Sequence, residues 1–103
     1  MNSNELECVR AEAAWAERRR EQRRPASGLG WMEPLDRGGG REWFRLMNVS
    51  DSGFRATHHC ADLRAGQKVR FHHAQAKGVA VVMWNRLADG AVDSGFLIVS
   101  KAA

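Results

Sequence analysis

Residues 42–59 read EWFRLMNVSDSGFRATHH. Over 42–48 the side chains alternate, with Phe44 and Leu46 on one face and Trp43 and Met47 on the other. Period-two alternation is the mark of a half-buried strand. Phe54 to His59 reads as another strand, and Asn48–Gly53 joins the two. Asn48 and Ser50 carry short polar side chains that can bond nearby backbone or a ligand. Gly53 suggests a positive φ, or a backbone that something bulky approaches closely. As it stands, the stretch is either a self-bonded connecting loop or half of a site.

Similar short runs lie on both sides. Residues 27–33 form a first strand with Leu29 and Trp31 on one face, weakened by Gly28 and Gly30. DRGGGR at 36–41 is a turn, and Ala61–Gln67 is a loop with Gly66 as its breaker. Lys68–His73 reads as the fourth strand, with Val69 and Phe71 on one face. Gly78–Asn85 is the fifth and most apolar, Ala88–Gly90 turns the chain, and Ser94–Ser100 is the sixth. Short strands punctuated by turn residues indicate an all-β domain. Six of them predict a mainly β fold, a six-stranded antiparallel β-barrel, because closure removes exposed edges.

The chain has 103 residues, enough for one domain with a small core. Residues 3–22 have a helical pattern, capped by Asn2 or Ser3, with Leu6, Val9, Ala13 and Ala16 at helical spacing. The stripe is thin, so this helix leans on the barrel or on a partner. Pro25 ends it. The organisation expected is an N-terminal helical segment over 1–16 and a barrel domain over 17–103, whose first residues, 17–25, form an arginine-rich arm that is helical or flexible.

Net charge is +4 and the pI about 9.8, which favours an anionic partner without choosing one. Cys8 and Cys60 have no disulfide-framework or metal spacing. No apolar run is long enough to span a bilayer, and the N-terminus lacks a signal-like apolar core. These features predict a cytoplasmic protein with reduced thiols.

Arg18, Arg19, Arg20, Arg23 and Arg24 fall within residues 18–24. On a helix Arg19 and Arg23 share a face. Guanidinium forks match phosphate oxygens bidentately, and match guanine's O6/N7 edge as well. The plain alternative is a solvated basic helix end, favoured by the helix dipole.

Taken together, the two stretches are more specific. Arg19-Arg20-Glu21-Gln22-Arg23 followed by Asn48-Val49-Ser50-Asp51-Ser52-Gly53 resembles the PilZ family, whose motifs are R-x-x-x-R and D/N-x-S-x-x-G. ADLRAGQKVRF at 61–71, VAVVMWNR at 79–86 and GFLIV at 95–99 resemble later stretches of that family. The resemblance implies a six-stranded barrel that binds the bacterial second messenger cyclic di-GMP. Arg19 and Arg23 would clamp phosphate and a guanine edge, Asn48 and Ser50 would bond the other guanine edge, and Gly53 would let the backbone turn. Arg18 matches a position where arginine accompanies a stacked ligand pair, implying two nucleotides per protomer, and Arg20 adds a phosphate contact. The arm would order over the ligand and signal to an effector protein on another chain. The family also contains members that stack a tryptophan near Trp84 on guanine; a core role for Trp84 is the alternative, since Val81, Val82 and Met83 precede it.

Two departures stand out. Asn48 replaces the commoner Asp, which weakens its bond to guanine by about 1 kcal/mol, the difference between charged and neutral hydrogen bonds. ASGLGWMEP at 26–34 is glycine-rich for a first strand, so that edge should be mobile or irregular.

His58, His59, Cys60, His72 and His73 raise a metal site, with 58–60 facing 69–73 in a hairpin. Adjacent histidines on a strand point to opposite faces, and the spacing fits no zinc pattern, so no metal or cofactor is expected. No catalytic constellation is evident, and the chain is read as a non-enzyme. One competing reading is a PilZ-like adaptor in pilus or motility assembly that binds no nucleotide. Another is a basic barrel for single-stranded nucleic acid. The latter needs aromatic platforms over a basic groove, and here there is no Tyr and the basic residues concentrate on the arm, so nucleic acid is not expected.

Overall fold

The computed structural model describes residues 22–36 and 40–102. The helical segment expected over 1–16, and Arg18, Arg19 and Arg20, lie outside them. In chain order the strands are β1 (Arg24–Pro25), β2 (Leu29–Pro34), β3 (Glu42–Val49), β4 (Gly53–His58), β5 (Lys68–His73), β6 (Ala76–Ala88) and β7 (Ala91–Lys101). Every pairing is antiparallel. The order β3-β2-β5-β6-β7-β4 returns to β3, which closes a six-stranded barrel. The fold expectation is met among the described residues, which include no helix. No helix among them is long and apolar enough to cross a membrane.

The two-residue β1 extends the line of β2 along β3: Pro25 registers with Asn48, and Leu29 with Arg45. Between them Gly28 takes φ 104°, and Ala26 N–H donates to the Met47 carbonyl at 3.1 Å. The glycine-rich edge is thus irregular, a strand broken in the middle but paired on both sides of the break. Leu29 and Trp31 do share a face, and it is the outer one; Gly30, Met32 and Pro34 point inward. Gly30 is required there because a Cβ would lie 2.4 Å from the Phe44 ring.

All four phenylalanines, Phe44, Phe54, Phe71 and Phe96, fill the barrel and are at most 1% exposed. The Phe54 and Phe96 rings stack at 4.6 Å, and Phe54 meets Phe71 at 4.8 Å. Alternation delivers each of them inward from a different strand, so one apolar cluster ties four strands together. The β6–β7 hairpin is longer than the sequence pattern indicates, closing at Asp89 (φ 51°) and Gly90 (φ 77°). Positive φ at both central residues is the turn whose twist matches a hairpin.

β4 and β5 are not neighbours, so the hairpin that would set 58–60 against 69–73 does not form. His58 and His73 are buried and His59 and His72 exposed, as strand alternation requires. No group of three or more His, Cys, Asp or Glu side chains suited to a metal occurs among the described residues. His58 instead anchors the loop after β4. Its Nδ1 accepts from Cys60 N–H at 3.0 Å, so Nε2–H donates to Ser94 Oγ at 2.7 Å. Ser94 donates on to Asn85 Oδ1, and Asn85 Nδ2 donates to the Leu63 carbonyl at 2.9 Å.

Candidate functional site

The register of four strands sets one row of side chains on the outside of the barrel. Asn48 of β3 is opposite Arg55 of β4, Arg55 is opposite Gly95 of β7, and Gly95 is opposite Trp84 of β6. Two bulges, at Leu46/Asn48 and at Val82/Trp84, adjust the facing of the residues at both ends of the row. Trp84 therefore lies half-buried on the outer surface rather than in the core. It covers Gly95, where a Cβ would come within 2.2 Å of the indole Nε1.

Arg23 reaches this row from the arm: its Nη1 donates to Asn48 Oδ1 at 3.3 Å. The next residue, Arg24, pairs with Val49 through its backbone and lies 3.6 Å from Asp51 through its guanidinium. Two neighbouring arginines thus reach both sides of the turn that joins β3 and β4. The strand pairing of β1 is what delivers them there.

Arg55 grips Asp93 of β7 as a fork, with Nε 2.9 Å from Oδ1 and Nη2 bonded to Oδ2. Arg86 Nη2 donates to the same Oδ2 at 3.0 Å. Hydrogen bonding from Arg55 holds the Asp93 carboxyl below its ordinary value, and the same bond raises Arg55. The Arg55 guanidinium is 6.0 Å from the centre of the Trp84 ring, at the outer limit of a cation–π contact. Among the described residues, Arg23, Arg24, Arg55 and Arg86 bring four positive charges to this region against Asp51 and Asp93.

Ser50 and Gly53 sit at the end of the barrel. Ser50 N–H donates to the Gly53 carbonyl at 2.9 Å, which closes the turn on itself. Ser50, Arg24, Asp51, His73 and Lys101 border a hollow of about 230 Å³. Gly53 opens β4 in an ordinary strand conformation and is buried; positive φ falls instead at Gly28, Gly66, Gly78 and Gly90. The reading of Gly53 as a positive-φ residue is thereby corrected: the turn is built from Ser50, Asp51 and Ser52, and Gly53 already pairs with Leu97.

Of the residues singled out from sequence, Arg23, Asn48 and Trp84 share the outer surface, and Ser50 and Gly53 adjoin it at the barrel end. Arg55, Arg86 and Asp93 were missed. Arg55 had a visible signal, a cation two residues past the turn in a strand with no other Lys, Arg, Asp or Glu. Asp93 and Arg86 had none, since only the β6–β7 register brings them together. No protein-family model matches the chain, and no curated protein matches it either.

Proposed function

We propose that this chain is a cyclic di-GMP sensor of the PilZ type, with the ligand lying on the outer barrel surface between the arginine arm and Trp84. The observation that supports it is the hydrogen bond from Arg23 to Asn48, which joins the last residue of the arginine motif to the first residue of the turn motif. Those residues are 25 positions apart and belong to one surface only through the fold. The surroundings suit a dianionic ligand with two guanines. Guanidiniums from the arm offer forks to phosphate, and the indole of Trp84 offers a flat apolar face to a base. Arg55 and Arg86 are held in place by Asp93 and need little reorganisation to present positive charge.

Binding would recruit Arg18, Arg19 and Arg20 from the arm, and the ordering step would fall on residues ahead of Arg24, since Arg24 and Pro25 are paired with β3. An effector protein would read the ordered arm. A second reading, the adaptor that binds no nucleotide, is favoured by one feature: the amide oxygen of Asn48 is engaged by Arg23.

Calorimetric titration with cyclic di-GMP tests the proposal, with Arg23→Ala and Ser50→Ala as controls. Saturable binding that both substitutions weaken at least tenfold is the expected result, and a stoichiometry of two would support the role given to Arg18. Absence of heat together with unchanged chemical shifts at high ligand concentration would leave the adaptor.

A further inference from the structure

A second surface, on β3, β2, β5 and β6, has no part in the site above. Trp43 registers with Trp31, Trp31 with His72, and His72 with Lys77, so four side chains form one row across four strands. All face outward, because Phe44, Met32 and Phe71 beside them fill the core. Trp43 is 59% exposed, a large apolar ring left in water. The Trp31 and His72 rings lie 5.8 Å apart with planes 7° from parallel, and the Arg41 guanidinium sits 4.0 Å above Trp31. Glu33 accepts from Arg41 Nε at 3.0 Å and lies 3.5 Å from Arg70 Nη1, so one carboxylate positions two guanidiniums beside the rings. Past His72 opens a cleft of about 250 Å³ bordered by Trp31, His72, Arg70, Lys77 and Val79.

We propose that this face binds single-stranded nucleic acid. Trp43 offers an open ring to a base, whatever its sequence, and His72 is exposed beside Trp31. A base that stacks on Trp31 takes the place of the Arg41 guanidinium, and the flanking cations meet the phosphates. Among the described residues, Arg41, Arg45, Arg70 and Lys77 border the row, against Glu33 and the strand-end Glu42, so their charge complements a polyanion. Three inter-strand steps of about 4.8 Å give a row roughly 14 Å wide, enough for more than one base. A duplex hides its base faces and could not use the rings. An extended peptide is disfavoured because the closed barrel offers it no strand edge along this row. The expectation against nucleic acid rested on the lack of tyrosine and on basic residues concentrated in the arm, whereas the strand register sets two tryptophans and a histidine beside basic residues away from the arm.

The test is fluorescence anisotropy of the full chain with labelled oligo-dT and oligo-rU at low and moderate salt, against a duplex of equal length. The expected result is saturable single-strand binding that Trp43→Ala weakens roughly tenfold, in line with the loss of one base–aromatic stack. Lys77→Glu should also weaken it and flatten its salt dependence. The two oligonucleotides separate a DNA from an RNA preference. Thermal melts confirm that each variant folds, and Trp43 is exposed enough for its replacement to leave the melt unchanged. Binding that persists undiminished in both Trp43→Ala and His72→Ala, or that is equal for duplex, would be charge alone and would overturn the proposal. So would a Trp43-dependent dimer with no affinity for either oligonucleotide.

Discussion

Asn48 offers one amide oxygen, and Arg23 takes it. Replacing Asn48 with Asp turns a neutral acceptor into a charged one with two oxygens, able to hold Arg23 and a guanine edge together. Asn48→Asp should therefore tighten cyclic di-GMP binding by about 1 kcal/mol, roughly fivefold, in the same calorimetric titration. Unchanged affinity would mean that this side chain makes no bond to the ligand. Arg23 and Asn48 were each legible in the sequence as members of two short motifs, but their bond to one another was not, since the motifs assign both side chains to a ligand. The Arg55–Asp93–Arg86 cluster was not legible either: Arg55 stands out as a cation just past the turn, but its partners lie on two other strands and each of them looks like an ordinary charged strand residue. Trp84 could be read either way from sequence. A bulge between Val82 and Trp84 turned it outward, and alternation cannot reveal a one-residue slip.

At the level of elements, the β6–β7 hairpin gives the clearest test. Residues 85–90 are exposed, with Leu87 77% exposed, so the hairpin tip runs beyond the packed core. The fifth strand expected from sequence ends at Asn85 for that reason, whereas the sixth, expected from Ser94, begins at Ala91, its buried Val92 and Asp93 hidden because a buried charge interrupts the apolar run. Burial writes the alternating pattern, and a strand segment without a core to face carries none. What holds the tip is its turn, and Gly90 at φ 77° leaves open space where a Cβ would go. Gly90→Ala should thus cost only the left-handed backbone penalty, about 1 kcal/mol, measured by urea denaturation with an unchanged m-value. A much larger loss would place the tip in contacts that the hairpin geometry does not provide. The broken first strand is the opposite case, where glycine content signalled irregularity and the backbone break at Gly28 bears it out.

Across the whole molecule, two buried histidines make stability depend on pH. Burial lowers both His58 and His73 from 6.5 to about 4, with His59 adding to the first shift, and His72 and Lys101 to the second. Between those values the unfolded chain binds protons that the folded barrel refuses. Their contribution is complete above pH 6.5 and is lost as pH falls toward 4, by about 3 kcal/mol for each histidine. Thermal melts should show the midpoint falling steadily across that window, and His73→Asn, which keeps an acceptor for the Gln75 N–H, should make the slope shallower. An unchanged slope in that variant would remove His73 from the account. By itself the sequence determined the mainly β class and its six principal strands, and set Phe44 with Leu46 and Phe71 with Val69 on common faces, because side-chain period and turn residues are local properties of the chain. Only the tertiary structure decided that β3 closes on both β2 and β4, that β4 and β5 lie apart, that Trp84 faces outward, and that Trp43, Trp31 and His72 align in one row. Those outcomes depend on strand order, register and bulges, which long-range pairing sets and no local stretch encodes.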